Sequence, residues 1–285
     1  MAKCAFLGLG VMGYPMAGHL VAAGQDVAVW NRTASVTERW GTEHEGRAAV
    51  DIADAVKDAD YVFICVGRDE DVLAVSEPAI SAMKKGSVLV DHTTTSVDCA
   101  KKVAAMADAR GIGFMDAPIS GGQAGAENGQ LTVMCGASGE TFARAESVID
   151  AYARRSTLIG PVGSGQMAKM MNQICIAGTV QGLSEALAFG KAAGLDIPKV
   201  ITAIGGGAAQ SWQMDNRAAT MDAGKYDYGF ALDWMIKDLG YAIKAAEDVG
   251  VDPVVAKLVN RYYKELSEAG DGRLDTSALL KRLHP

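Results

Sequence analysis

The apolar run Cys4-Ala5-Phe6-Leu7 passes directly into Gly8-Leu9-Gly10-Val11-Met12-Gly13. A helix-length stretch, Gly13–Ala23, follows, and then a second β-branched run at Asp26–Trp30. Few folds accept strand, glycine turn, helix and strand in that order within thirty residues. Glycines at these three positions permit a tight turn, close approach of the backbone to a pyrophosphate, and close packing of helix on strand. Free N–H groups at the positive end of the helix then receive the phosphates. Gly8, Leu9, Gly10, Val11, Met12 and Gly13 are therefore expected to bind a dinucleotide; a purely structural glycine turn is the plainer alternative. A secretion signal is not expected of these residues, because the glycines and Pro15 interrupt the apolar stretch.

The alternation continues. Strands are expected at Tyr61–Val66, Val88–Asp91, Gly113–Met115, Leu131–Cys135 and Thr157–Ile159, with helices at Val36–Trp40, Ser96–Ala109 and Gly139–Ala151. Runs such as YVFICV, apolar at nearly every position, imply burial on both faces and hence a mainly parallel sheet covered by helices. After Gly160-Pro161-Val162-Gly163-Ser164-Gly165 no β-rich run of useful length remains. Helices are expected over Gln166–Ala193, Pro198–Ile204, Leu232–Asp248, Pro253–Ala269 and near Ser277–Leu283. At 285 residues the chain exceeds a single domain of roughly 100–150. The predicted architecture is an α/β Rossmann domain, doubly wound and mainly parallel, over residues 1–162. An all-α domain over 163–285 follows, joined to it by a long helix.

Composition excludes several classes. A net charge of −7 with no basic tail opposes nucleic-acid binding. No window holds 18 uninterrupted apolar residues, so no membrane-spanning helix is expected. The five cysteines (Cys4, Cys65, Cys99, Cys135, Cys175) form no CxxC, and their odd number argues against a disulfide framework. Reduced thiols in a cytoplasmic protein are expected. His19, His44, His92 and His284 form no ligand-like pair, so no metal site is expected.

Four further segments carry chemistry. The second strand ends in Trp30-Asn31-Arg32-Thr33, without the acidic residue that binds both ribose hydroxyls of NAD; a cation and neutral donors suit a 2′-phosphate instead. Asn31, Arg32 and Thr33 thus favour NADP, with NAD as the alternative. In Asp116-Ala117-Pro118-Ile119-Ser120-Gly121-Gly122, consecutive backbone N–H groups beside a hydroxyl can form a nest for a carboxylate, or merely a glycine-rich loop. Lys169 stands three and four residues before Asn172 and Gln173, so the three share a helical face. Spacing alone suits a snorkelling surface lysine as well as a catalytic acid/base. The segment Phe230–Leu239 fits an amphipathic helix with a solvated Lys-Asp end.

Together these motifs resemble the β-hydroxyacid dehydrogenase family, over essentially the whole chain. The resemblance is carried by GLGVMG, by DAPISGG, by Gly165, Lys169 and Asn172 with a preceding Gly163, and by Lys237-Asp238-Leu239. It implies an active site in the cleft between the two domains. Lys169 would be catalytic with Asn172 as its hydrogen-bonding partner, and Ser120, Gly121 and Gly122 would hold the substrate carboxylate. Val66, Thr94 and Lys237 would contact the cofactor. Gln173 stands where many members carry a second Asn. Residues Gly206–Arg217, including Trp212, resemble a subset of the family and would shape the distal end of the substrate pocket.

The resemblance implies an NADP-preferring enzyme moving a hydride to or from a short 3-hydroxy acid or its semialdehyde, as a homodimer or homotetramer. An imine reductase of the same architecture would lack the lysine. A non-catalytic dinucleotide-binding scaffold would be expected to lose it too. A decarboxylating enzyme of the 6-phosphogluconate type would need a larger helical domain.

Overall fold

The protein, seen in a computed structural model, is described over residues 1–283; His284 and Pro285 lie outside the described residues. The chain forms two compact units, Met1–Lys169 and Met170–Pro285. In the first, strands β1 (Lys3–Leu7), β2 (Asp26–Trp30), β3 (Arg47–Ala48), β4 (Tyr61–Ile64), β5 (Val88–Asp91) and β6 (Gly113–Asp116) are followed by β7 (Ile119–Ser120), β8 (Leu131–Gly136) and β9 (Ala153–Gly160). They build one sheet in the order β3-β2-β1-β4-β5-β6-β8-β7, with β9 paired to β8. The first six run parallel, and β8 joins β6 antiparallel. This is the doubly wound order, whose direction reverses between β1 and β4.

Alternate residues of each strand face opposite sides of the sheet. Phe6, Val29, Phe63, Val90 and Met115 enter one core layer, under α1 (Gly13–Ala22), α2 (Ala34–Glu43) and, after several intervening elements, Val148 and Ile149 of a later helix. Ala5, Leu7, Val62, Ile64 and Leu89 enter the other, covered by α3 (Ile52–Val56), α4 (Asp69–Ala82) and α5 (Val97–Asp108). Each such large side chain contributes about 1.5–3 kcal/mol on burial. Helices α6 (Gly122–Glu127) and α7 (Gly139–Ile149, the helix of Val148) complete the unit.

Several elements exceed the sequence-based expectation. Helix α4 carries Pro78 inside it, which disguises a helix that opens on Asp69-Glu70-Asp71 at its positive end. Strand β9 begins at Ala153, four residues before the expected start at Thr157. Its exposed Arg154 and Arg155 mask the apolar pattern and discourage edge-to-edge pairing.

The second unit is helical: the remainder of α8 (Ser164–Ala192), then α9 (Ile197–Ile204), α10 (Trp212–Asp222), α11 (Leu232–Asp248) and α12 (Val254–Leu266). A π turn at Ser267–Asp271 and a 3-10 helix at Thr276–Arg282 follow. Lys169 ends the first unit and Met170 begins the second, both within α8. Two apolar clusters hold this unit, one around Met235, Leu239, Val259 and Tyr263, the other around Leu187, Ile197, Met221 and Leu280. Helix α10 was not expected, because Gly205-Gly206-Gly207 before it suggests a loop. Its N-cap is Ser211, whose Oγ accepts from the Met214 amide at 3.1 Å.

His92, just past β5, is buried in the first unit. Its Nδ1 lies 2.7 Å from the Ala117 carbonyl and its Nε2 2.8 Å from the Tyr152 hydroxyl. A carbonyl only accepts, so Nδ1 carries the proton and Nε2 accepts from Tyr152. Burial pushes the imidazole down to about 4, against the smaller opposing effect of the Ala117 bond. The native state thus keeps His92 neutral where the unfolded chain, near 6.5, takes up a proton. Its stabilisation is complete above pH 6.5 and is lost as pH falls toward 4, amounting to about 3 kcal/mol. Urea unfolding at pH 7.5 and 4.5 should show this loss in the wild type and a smaller one in His92→Gln; equal losses would refute the assignment.

Candidate active site

The turn after β1 is built around its glycines. Gly8 has φ +101°, and a Cβ there would collide with the Cys65 carbonyl oxygen at the end of β4. A Cβ on Gly13 would strike the Gly8 carbonyl oxygen, whereas one on Gly10 would meet nothing within 4 Å. Gly8 and Gly13 are required by the protein's own packing. Gly10 instead leaves the backbone open to an approaching group, and a pyrophosphate fits this arrangement. The Leu9 amide donates to Asn31 Oδ1 at 2.9 Å, joining the turn to the end of β2. Arg32 projects there with its side chain 88% exposed, 3.5 Å from Asp71.

Val66 and Thr94 lie just past the ends of β4 and β5. The Val66 amide donates to Thr93 Oγ1 at 3.1 Å, which ties these two ends together. The expected cofactor residues of the first unit therefore gather along the carboxyl edge of the parallel strands, where doubly wound sheets bind their ligands. A hollow of about 310 Å³ lies beside Leu9, Gly10 and Val11 and is also lined by Arg39 of α2 and by Gln123 and Glu127 of α6. The structure thus brings the Gly8–Gly13 turn and the segment after Ser120-Gly121-Gly122 to one hollow. Gly121 and Gly122 have φ +132° and +61°, conformations that residues with side chains rarely adopt.

Helix starts differ in a telling way. Of the seven helices α1–α7, α3, α5 and α7 are capped by Asp51, Ser96 and Ser138, and α4 has acids in its first turn. Helices α1, α2 and α6 have neither a side-chain cap nor a first-turn acid. Their positive ends are thus neutralised by neither an N-cap side chain nor a first-turn carboxylate. These three starts coincide with Gly8–Gly13, with Asn31-Arg32-Thr33 and with Ser120-Gly121-Gly122.

Lys169 is 7% exposed, not a solvated lysine. In the second unit, Asn172 Nδ2 donates to Gln173 Oε1 at 2.8 Å, and Gln173 Nε2 donates to Asp238 Oδ2 at 2.6 Å. Asp238 Oδ1 in turn pairs with Lys237 Nζ at 3.2 Å. Three residues singled out in the sequence are thus linked through a fourth, Asp238, which is 2% exposed. Of the Lys-Asp pair expected to be solvated, Asp238 is buried and Lys237 half-buried within α11. Lys237 also lies over the rings of Trp234 and Tyr241. Trp212 belongs to another cluster: Arg217 stacks on it and on Tyr228 and pairs with Asp275. A larger hollow of about 600 Å³, beside Lys191, Asp222, Tyr226 and Lys281, contains none of the expected site residues. Among the described residues no three His, Cys, Asp or Glu side chains cluster as metal ligands, and no helix is long and apolar enough to cross a membrane.

Two family models match the chain. The NAD binding domain of 6-phosphogluconate dehydrogenase covers residues 3–175, and the NAD-binding domain of NADP-dependent 3-hydroxyisobutyrate dehydrogenase covers 163–283. An uncharacterised oxidoreductase of Shewanella frigidimarina is 53% identical, over 99% of this chain and 98% of its own. The 2-hydroxy-3-oxopropionate reductase of Escherichia coli is 32% identical over 99% of this chain and 97% of its own. Among solved structures, 3-hydroxyisobutyrate dehydrogenase of Mycobacterium tuberculosis with L-serine superposes with a TM-score of 0.92 at 28% identity, over 100% of both chains. With its doubly wound sheet, open glycine turn and helical second unit, the chain belongs to the β-hydroxyacid dehydrogenase family and is an NAD(P)-dependent hydroxyacid dehydrogenase of the 3-hydroxyisobutyrate dehydrogenase type.

Proposed function

We propose that the enzyme prefers NADP, acts on a short 3-hydroxy acid or its semialdehyde or 2-oxo acid, and uses Lys169 as general acid/base. The observation that carries this reading is the coincidence of the unneutralised helix starts of the first unit with the three anion-binding motifs. Phosphates and a carboxylate are the ligands such positions favour. Gly8–Gly13 would hold the pyrophosphate, and Asn31, Arg32 and Thr33 the 2′-phosphate. Val66, Thr94 and Lys237 would contact the remainder of the cofactor. The match to an NADP-dependent family model supports the same preference.

When bound, the nicotinamide supplies or takes up the hydride. Lys169 Nζ would donate a proton to the carbonyl oxygen in reduction and recover it in oxidation, a role that contributes about 10²–10⁴-fold to rate. Asn172 would orient the ammonium, with Gln173 completing its polar surroundings. Ser120, Gly121 and Gly122 would hold the substrate carboxylate so that the reacting carbon is aligned. Trp212 would bound the distal end of the substrate. Residues 1–162 are assigned to the dinucleotide and 163–285 to the substrate and to self-association. Exposed Met171, Val254 and Val255 support a homo-oligomer, and free cysteines suit a cytoplasmic enzyme.

Lys169→Ala should lose about 10²-fold or more in kcat while binding NADP as before; near-normal turnover would refute the lysine's role. Steady-state kcat/KM with both cofactors should show Arg32→Asp reducing the NADP/NAD ratio by about tenfold or more, about 1.4 kcal/mol or more of discrimination; an unchanged ratio would sink the preference. Gly10→Ala should retain its Tm and bind NADP more weakly. Gly13→Ala should lose about 1–3 kcal/mol of stability in urea.

A further inference from the structure

The first turn of α8 is held by two buried side chains that the proposed chemistry does not use. Asp116, at the end of β6, is 0% exposed. Its Oδ1 accepts from the Gly163 amide at 2.7 Å and its Oδ2 from the Gln166 amide at 2.9 Å. One carboxylate thus neutralises the positive end of α8 and satisfies two of its orphan amides. Burial raises its pKa, against bonds from the Gly163, Gln166 and Gly165 amides that lower it. The fit leaves no slack: a Cβ on Gly136 or on Gly165 would collide with the Asp116 carboxylate, and one on Gly165 also with the Met134 carbonyl.

Gln166 is equally buried and uses both ends of its amide. Its Oε1 accepts from the Thr95 amide at 3.0 Å, and its Nε2 donates to the Thr93 carbonyl at 2.8 Å. These two bonds bracket Thr94 in the loop after β5. A glutamine with donor and acceptor both matched to backbone groups two residues apart fixes the helix turn against that loop in one register only.

Lys169 lies one helical turn beyond Gln166, about 4.5 Å along the axis. What fixes Gln166 therefore fixes the point from which the lysine side chain starts. Asp116 ties the same turn to the strand that continues through Ala117 and Pro118 into Ser120-Gly121-Gly122. The helix turn is thereby registered against the proposed carboxylate loop by one residue and against the proposed cofactor loop by the other. We propose that Asp116 and Gln166 are positioning residues for Lys169, setting the lysine against both loops without touching the reacting atoms. This rests on the assignment of Lys169 as general acid/base.

The test is a double-mutant cycle in kcat. Gln166→Met keeps the length and removes both hydrogen bonds. Asp116→Asn keeps the shape and presents an amide donor to an amide that is itself a donor. Each single variant should lose about 10–100-fold in kcat, with KM for NADP within about threefold of wild type. A displaced lysine also alters its own surroundings, so the alkaline limb of the pH profile of kcat should move. In a Lys169→Ala background the same substitutions should cost nothing further, since a residue acting through the lysine has no effect once it is gone. Additive losses in that background, or single variants within twofold of wild type in kcat, would overturn the inference. Should Gln166→Met fail to fold by circular dichroism, Gln166→Glu enters the cycle in its place. It keeps the Thr95 bond and loses the Thr93 bond, with the same two outcomes decisive. If Lys169→Ala itself turns over normally, the failure lies with the acid/base assignment and not with the positioning pair.

Discussion

Parallel strands cannot be joined by a tight turn, so each must be followed by a crossover long enough to return over the sheet. That constraint organises the first unit. Every crossover leaves from the carboxyl end of its strand, so the strand-to-helix loops all lie along one edge. Gly8 follows β1, Asn31 follows β2, Cys65 and Val66 follow β4, and Thr93–Thr95 follow β5. The sheet's reversal of order between β1 and β4 opens that edge, and Gly8 fits there only because it has no Cβ to strike the Cys65 carbonyl.

The same edge is where the unit leaves its helix dipoles unneutralised. Elsewhere it caps its helices by ordinary means, with Asp51, Ser96 and Ser138, or loads the first turn with acids as in α4. A helix end without either is a small stability sacrifice of about 0.5–2 kcal/mol for the missing cap. It is concentrated at α1, α2 and α6, the starts that follow Gly8–Gly13, Asn31-Arg32-Thr33 and Ser120-Gly121-Gly122. Helix α8 differs: its start is neutralised by Asp116, a buried carboxylate from the sheet.

Much of this was legible in the chain. The glycine turn, the parallel strands and the long helix announce themselves through local spacing, because a turn's φ requirements and a strand's two-sided burial act on neighbouring residues. Helix α4 was concealed by Pro78 and α10 by the glycines before it, although both have clear N-terminal signals. Asp116 stood in a quoted motif and Gln166 beside Lys169, yet neither suggested a role. Their partners are 47 to 73 residues away in sequence, beyond anything periodicity reports. Asp238 was read as the solvated end of an amphipathic helix and is instead buried on Gln173 and Lys237, because a hydrogen bond from a side chain 65 residues away leaves no local trace.

Sequence by itself determined the class of fold, the glycine turn, the absence of an acid after β2 and the presence of a lysine three residues before an asparagine on one helix. These depend on backbone conformation and on spacing within a few residues. Tertiary structure alone decided that Lys169 is buried, that Asp116 and Gln166 grip the turn before it, and that Asn172, Gln173 and Asp238 form one hydrogen-bonded chain ending in an ion pair with Lys237. Burial and long-range hydrogen bonds are properties of the packed chain, set by which strand ends and helix faces meet, and no local pattern of residue types specifies them.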